Sequence, residues 1–350
     1  MLFKRLRSLL LPLLVSVPLG ALAGPFTSLF VFGDSLSDTG NLATAFASAT
    51  GQALPTLPPQ PVGSGFNGPY YQNSQLSNGP VWIEHLGAGL GLASNAAAPA
   101  LLGGNNFAFA GARTGTSSIP PGVLAQAFGL WGGNDPSVNP SFADPSALYV
   151  VVGGGDDMRD ARDANPGITA ADRSAHGIAA AAAVTNLANT LAFLASKGVK
   201  NVLVSTLPDL GFTPEAALRS LLLGLPDLQA ASSDASDQFN ALIQTSLMGF
   251  GASLGLHMNL LDIDGLFNDV LTHPGSFGIT NTDLPCAGFE FSAGASCNTS
   301  LFADVLHPSA FAHSLIARAA LEVLGVPEPE TLALFGLALL ALALARRRAA

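Results

Sequence analysis

Three polar residues in this chain have the types and spacing that nucleophilic catalysis requires. Ser35 follows an apolar run of strand length, and Asp304 and His307 lie three residues apart, directly before Pro308. A serine nucleophile needs a base within hydrogen-bond reach, and that base needs a carboxylate to orient it. Asp304 and His307 can both come from one turn, so a second loop is not required. Taken alone, each segment fits a helix cap or a surface turn equally well.

The other candidates for chemistry are weaker. No His-Glu-x-x-His pattern occurs, so we expect no metal and no cofactor. Ser253 lies in a Gly-x-Ser-x-Gly sequence, but a helical stretch precedes it and a strand follows, the reverse of the order in a nucleophile elbow. We interpret these glycines as a helix-to-strand turn. No carboxylate stands at the same spacing beside the remaining histidines, which are His85, His176, His257, His273 and His313.

Alternating strands and helices are predicted to position these residues. Predicted strands cover residues 29–32, 106–112, 148–152, 199–205 and 256–263. Predicted helices begin at Leu42 and cover 82–92, 170–196, 239–254 and 309–324. This alternation indicates the α/β class, with a mainly parallel sheet and helices on both faces. Ligands bind beyond the carboxyl ends of such strands, which is where Ser35, Gly111, Asp156 and Asp209 fall.

Composition narrows the class of protein. The chain has 350 residues, of which 49% are hydrophobic and 11% are charged, so it can bury a large core. Its formal net charge is −10. An acidic surface repels phosphate backbones, so nucleic acid is not an expected partner.

The first 23 residues have the three-part layout of a secretory signal peptide. Basic residues at positions 4, 5 and 7 precede an apolar run at 9–19, and Ala-Leu-Ala at 21–23 offers a small-residue cleavage site after Ala23. We therefore expect the protein to be exported. Export favours a disulfide between Cys286 and Cys297, the only two cysteines, over a zinc site.

The last residues, 326–350, form a second signal. Pro-Glu-Pro at 327–329 is followed by an apolar run at 332–345 and by three arginines at 346–348. The run is shorter than the roughly 20 residues that span a bilayer. This tail resembles the PEP-CTERM sorting signal, which implies a Gram-negative bacterium, processing by an exosortase, transient membrane association and a final place in the cell envelope or outside the cell. An uncleaved tail anchor is the alternative.

Four sequence blocks between residues 24 and 325 together resemble the GDSL, or SGNH, hydrolases. They are Gly-Asp-Ser-Leu at 33–36, Gly111 after Asn-Phe-Ala, a Gly-rich turn with Asp156 after Leu-Tyr-Val-Val, and Asp304-x-x-His307-Pro. Ser-Asn-Gly-Pro-Val-Trp at 77–82 and Pro-Asp-Leu-Gly at 208–211 look like further segments of the secreted esterase and lipase branch. The resemblance implies one domain over 24–325 with a three-layer α/β/α, flavodoxin-like fold.

The resemblance also implies roles. Ser35 would attack the ester carbonyl, His307 would take its proton, and Asp304 would fix the imidazole tautomer. The backbone N–H groups of Ser35 and Gly111 would bind the oxyanion. The implied substrate is a lipid, glycan or small ester.

One position departs from the family pattern, because Asp156 stands where an asparagine donor to the oxyanion is expected. An ionised aspartate cannot donate a hydrogen bond. Asp156 would be protonated, or another group would donate in its place, or the enzyme would be slow. Asn134, in a Gly-Gly-Asn-Asp string, is a further candidate donor, although no adequate strand precedes it. We therefore predict an exported serine ester hydrolase, with an acyltransferase or a non-catalytic envelope-binding or matrix-binding protein as alternatives.

Overall fold

A parallel sheet forms the centre of the protein. The computed structural model describes residues 25–52, 75–92, 97–117, 119–132, 143–287 and 295–326. The four strands lie in sequence order and all pairs are parallel. Phe32, Val151 and Val204 are neighbours in register, so the strands end level and the loops that follow them meet at one edge. The strands are β1 (Leu29–Phe32), β2 (Leu148–Val151), β3 (Asn201–Ser205) and β4 (His257–Leu261).

A further segment extends the sheet beyond β1. The backbone N–H of Phe107 donates to the carbonyl of Val31, and that of Phe109 donates to the carbonyl of Gly33. With this segment counted second in the chain, the order across the sheet is 2-1-3-4-5, the flavodoxin-like order. The direction in which successive strands are added to the sheet therefore reverses at β1. The crevice that this reversal creates lies at the carboxyl end of β1.

The prediction of a regular strand over 106–112 was wrong. The structure has only isolated bridges there, between residue 106 and residues 31 and 99. The reason is that side chains occupy the backbone groups that a ladder would use. The Asn41 amide donates to the carbonyls of Asn106 and Ala108, and the Asn106 side chain accepts from the Ala108 N–H.

Helices cover both faces of the sheet and make three layers, as predicted. One face carries a core with the helices Val123–Ala125, Gly155–Ala164, Ala170–Ser196 and Leu228–Leu242, and the other carries a core with the helices Trp82–Gly89, Ile263–Thr272 and Ala310–Val323. The strands are apolar on both sides because both faces are buried. The helices are α1 (Asn41–Thr50), α2 (Trp82–Gly89), α3 (Val123–Ala125, continuing as a π-helix over Gln126–Trp131), α4 (Gly155–Ala164), α5 (Ala170–Ser196), α6 (Pro214–Leu223), α7 (Leu228–Leu242, continuing as a π-helix over Ile243–Leu247), α8 (Met248–Ser253), α9 (Ile263–Thr272) and α10 (Ala310–Val323).

The helix predicted at 170–196 is confirmed as α5, which by length and composition alone could also cross a membrane. Eight of its side chains are buried, as in the core helix of a globular protein. The helix predicted to begin at 239 was wrong at its start, since α7 begins at Leu228. The sequence did not indicate a helix here because Ser232 and Ser236 are of a type that does not favour helix interiors. They are buried inside it because each hydroxyl donates to the carbonyl four residues earlier.

The predicted disulfide between Cys286 and Cys297 is present. The segment beside it is tied to the chain just before Asp304, since the N–H of Cys286 donates to the carbonyl of Phe302 and that of Ala287 donates to Ala303. Residues 1–24 and 327–350, which contain the predicted export signals, lie outside the described residues, as does Asn134.

Candidate active site

Ser35 lies directly beyond the carboxyl end of β1, as predicted, and is not at a helix N-terminus. A separate turn holds it, because the carbonyl of Asp34 accepts from the N–H groups of Ser37 and Asp38. Helix α1 begins only at Asn41, after Gly40 with φ 132°. The Ser35 hydroxyl contacts His307 rather than a helix N–H, so the geometry differs from that of a helix cap.

Close packing fixes the residue before this turn. The N–H of Gly33 donates to the side chain of Gln126, whose amide donates back to the carbonyl of Gly33. A Cβ at residue 33 would lie 2.9 Å from a methyl group of Val152. Glycine is therefore required at position 33 because the segment at Val152 approaches it closely. The backbone between β1 and Ser35 is thereby held rigidly.

Asp304 and His307 come from one turn, as their spacing predicted. Asp304 Oδ1 accepts from the N–H groups of Leu306 and His307, at 2.8 and 2.6 Å. Its Oδ2 lies 2.8 Å from His307 Nδ1. The N–H of Ala303 donates to the carbonyl of His307 and closes the turn. One carboxylate thus holds both the backbone and the ring of the histidine.

The structure brings all three predicted residues together. His307 Nε2 lies 3.0 Å from Ser35 Oγ, although the two residues are 272 positions apart. Asp304 is 2% exposed and His307 is 9% exposed. The hydrogen bonds therefore run from a buried carboxylate through the imidazole to a hydroxyl at the edge of the cleft.

The charges in this arrangement reinforce each other. Burial would raise the pKa of the Asp304 carboxyl, but the facing His307 and the hydrogen bonds outweigh burial and lower it. Burial would lower the pKa of His307, but the charge and hydrogen bond of Asp304 outweigh burial and raise it. The imidazole is thus a stronger base than an isolated histidine.

Gly111 lines the same cleft as Ser35 and His307. Its φ is +78°, a conformation that favours glycine. Within the described part of the chain, the backbone N–H groups of Ser35 and Gly111 have no protein acceptor. Two free donors beside a serine hydroxyl are what an oxyanion site requires.

A buried network that sequence reasoning missed positions Gly111. Asp38 accepts from the N–H groups of Gly40 and Asn41 on one side and of Ala110 on the other. The Asn106 amide donates to the carbonyl of Ser37. These bonds join the turn after β1 to the segment before Gly111. The Asp-x-x-Asn spacing at 38 and 41 was the available signal, but its partners are about 70 residues away.

Asp156 lies in the first turn of α4, not in an extended glycine turn, and its carboxylate is ion-paired. Its Oδ1 is 2.9 Å from Arg159 Nη1. Arg159 Nη2 is 2.7 Å from Glu215 Oε1, and Arg162 binds the other oxygen of Glu215 at 2.6 Å. Arg159 and Glu215 line the cleft together with Ser35. The spacing of 156 and 159 on one helix face could have indicated the first pair.

Asp34 adds a further buried carboxyl to the site. Burial, together with the nearby charge of Asp156, raises its pKa to about 7. A hydrogen bond from the N–H of Leu36 to its Oδ1 opposes that rise. Asp34, Asp156 and Glu215 therefore bring several carboxyl groups to this side of the cleft, and Arg159 lies among them.

An apolar groove opens beside Ser35 and His307. It runs between the loop after β3, helix α9 and the turn that holds His307. Apolar side chains from each of these elements line the groove. The apolar lining residues are Leu207, Leu210, Phe212, Ile263, Phe267, Leu271, Phe302, Leu306 and Ile316.

Ser253 ends α8 and its hydroxyl donates to the carbonyl of Phe250, in agreement with a helix-to-strand turn. It does not take part in the cleft. Among the described residues, no group of three or more His, Cys, Asp or Glu side chains could hold a metal ion.

With this geometry established, comparison with known proteins identifies the family. The model of the GDSL-like lipase/acylhydrolase family matches residues 29–320. The chain belongs to this family. The match begins at β1 and ends within α10, so it spans the sheet, both helical layers and every residue of the cleft.

Esterase EstA from Pseudomonas aeruginosa and Esterase EstA from Pseudomonas putida are each 30% identical to this GDSL-family chain over 89% of its length. The chain spans 49% of the length of each. A phosphatidylcholine-sterol acyltransferase from Aeromonas hydrophila is 26% identical, and the match covers 76% of this chain and 67% of that protein.

A second family model, the PEP-CTERM protein-sorting motif, matches residues 325–348. This motif indicates export in a Gram-negative bacterium and implies processing by an exosortase. The predictions of the family, of the sorting motif and of export are confirmed. The signal peptide at 1–23 stays a prediction.

Proposed function

We propose that this GDSL-family protein is an exported serine ester hydrolase in which Ser35, His307 and Asp304 form the catalytic triad. The observation that carries the proposal is the unbroken series of hydrogen bonds from Asp304 through His307 to Ser35. It ends beside two free backbone N–H groups and an apolar groove. The esterases and the acyltransferase among its relatives support an acyl-transfer reaction.

The reaction follows from these contacts. Ser35 Oγ bonds to the ester carbonyl carbon while its proton moves to His307 Nε2. The N–H groups of Ser35 and Gly111 bind the negative oxygen of the tetrahedral intermediate. The bond to the alcohol oxygen then breaks, and that oxygen takes the proton from His307. Water repeats the sequence on the acyl-enzyme, releasing the carboxylic acid and restoring Ser35.

The groove supports an inference about the class of substrate. Its lining is mainly apolar and includes Leu306, beside His307, and Leu271 on α9, although Asp209, Thr213 and Asn268 also line it. Burying a hydrocarbon chain there is favourable by about 0.8 kcal/mol for each methylene group. We therefore infer that the acyl part is an alkyl chain held in this groove. We also infer that the C-terminal tail holds the precursor transiently at the membrane before exosortase processing.

The test is hydrolysis of p-nitrophenyl esters by Ser35→Ala. We expect loss of at least about 10³-fold in kcat because the nucleophile is absent, with an unchanged thermal unfolding midpoint. Ser253→Ala is the matched control and should keep native activity, since Ser253 lies at the end of α8. Native activity in Ser35→Ala would overturn the assignment of the nucleophile. No labelling of the native protein by a fluorophosphonate probe would favour a non-catalytic binding protein.

The acyltransferase alternative rests on the Aeromonas hydrophila relative. An acyl-enzyme can pass its acyl group to an alcohol as well as to water, and an apolar groove disfavours water near the ester. Product analysis with added alcohol separates the two activities. A new ester formed in preference to free acid would make acyl transfer the main reaction.

A further inference from the structure

Asp156 poses an electrostatic problem for the proposed reaction. It stands where an asparagine donor is expected, in the same cleft as Ser35 and His307. A carboxylate there cannot donate to the oxyanion and would repel it. Loss of one oxyanion donor costs about 10²–10³ in turnover in a well-studied protease. An uncompensated negative charge would add to that loss.

Arg159 is held against this carboxylate from the same helix. Its Nη1 binds Asp156 and its Nη2 binds Glu215, so the guanidinium is fixed at two points. Its Nε is buried and has no hydrogen-bond partner among the described residues. Because the guanidinium is planar and held at two points, its positive charge has a fixed position beside Asp156.

We propose that the Asp156–Arg159 pair replaces the expected asparagine, with Arg159 neutralising the carboxylate of Asp156 so that it does not repel the oxyanion. The inference rests on the proposed function. Arg159 is a positioning residue that acts through Asp156, and its charge makes an aspartate tolerable at this place. The two residues form one functional unit, in which an aspartate at position 156 is tolerated only while Arg159 is present.

The charges of both residues also act on His307. Asp156 raises the pKa of the imidazole and Arg159 lowers it, while Asp304 is the group that raises this pKa most. Removal of Arg159 leaves Asp156 unopposed and should raise the pKa of His307. This effect requires only the charges and the fold, so it is measurable whether or not the protein hydrolyses a given ester.

A purely structural role for Arg159 makes a different prediction. Arg159 also joins α4 to Glu215 on α6, and that link would be weakened in any background. Arg162, which is fully buried, keeps Glu215 paired when Arg159 is replaced. Arg219→Gln is the matched control, because Arg219 also approaches Glu215, at 3.7 Å, but makes no ion pair with Asp156.

The experiment is a double-mutant cycle with Arg159→Gln, Asp156→Asn and both changes together, measured as kcat on p-nitrophenyl butyrate. Arg159→Gln should lower kcat about 10²–10³-fold. The double variant should recover at least about tenfold of that loss, because the introduced asparagine is neutral and can donate. Arg159→Lys, which keeps the charge, should retain more activity than Arg159→Gln. Arg219→Gln should stay within about threefold of native.

The second readout is the pKa of His307 by NMR titration. It should rise in Arg159→Gln and stay near the native value in the double variant. An equal kcat loss for Arg159→Gln in both backgrounds, or an unmoved His307 pKa, would overturn the proposal. If the native protein hydrolyses no ester and takes no fluorophosphonate, the proposed function fails. The titration still decides the charge pairing in that case.

Discussion

The charge state of His307 depends on the groups that face it. Burial disfavours the imidazolium, but Asp304 outweighs burial by its charge and hydrogen bond, so the pKa of His307 is raised above its ordinary value of 6.5. In the proposed reaction, the neutral ring is the base that takes the serine proton. Activity must therefore be lost as the pH falls through this raised pKa and be restored above it.

We expect kcat/KM to rise with pH with a midpoint above 6.5, in measurements from pH 5 to 9 on a short p-nitrophenyl ester. Asp304→Asn should lower kcat/KM by about 10⁴-fold, because the imidazole loses the partner that fixes its tautomer. It should also move the midpoint down, since burial then acts without the facing carboxylate. Asp269→Asn, an exposed change on α9, is the control. A midpoint that stays in place in Asp304→Asn would contradict the role given to Asp304.

At the scale of elements, the site is assembled from the ends of strands and the first turns of helices. The turn after β1 carries Ser35, and α4, which follows β2, carries Asp156 and Arg159. Helix α6 contacts the turn that holds His307, since the N–H of Glu215 donates to the carbonyl of Val305. The Asn78 side chain accepts from the N–H of Ala310 and so caps the first turn of α10. Each element contributes one or two residues, and the rigid sheet sets their spacing.

Helix α9 forms one wall of the apolar groove, so a bulky side chain there should shorten the acyl chain that fits. Leu271→Trp should reduce kcat/KM on decanoyl esters about 15- to 60-fold, which corresponds to two or three methylene groups losing burial at about 0.8 kcal/mol each. Acetyl and butyryl esters should be unaffected. The control is Leu222→Trp, at an exposed position on α6 outside the groove. An equal loss on all chain lengths would count against the groove as the acyl site.

At the scale of the whole molecule, the disulfide is connected by hydrogen bonds to the segment just before Asp304. Cys286 and Cys297 are separated by 11 positions. Backbone bonds connect Cys286 and Ala287 to Phe302 and Ala303, immediately before Asp304. The crosslink therefore lies next to the segment that carries Asp304, and we expect it to brace that segment.

Replacing both cysteines, in Cys286→Ser/Cys297→Ser, should lower the free energy of unfolding by about 3 kcal/mol, because the unfolded chain gains the entropy of an open loop. Urea unfolding at pH 7.5 measures this difference. Native protein treated with a reductant should behave like the double variant. If the difference is below about 0.5 kcal/mol, the disulfide does not brace the fold.

The sequence by itself determined the class of the fold, the three residues of the proposed triad and the pairing of the cysteines. Strand ends and a three-residue spacing are local features, and parallel strands bring their carboxyl ends to one edge wherever the helices lie. Sequence reasoning also found the anomaly at Asp156, but not its partner.

Only the tertiary structure decided what surrounds Asp156 and Gly111. The link from Arg159 to Glu215 crosses 56 positions, and that from Asp38 to Ala110 crosses 72. Such pairs follow from which helix packs beside which, and no local pattern encodes that choice. For the same physical reason the segment before Gly111 is held by side chains instead of a regular ladder. Long-range polar contacts therefore convert a recognisable set of residues into a defined electrostatic site.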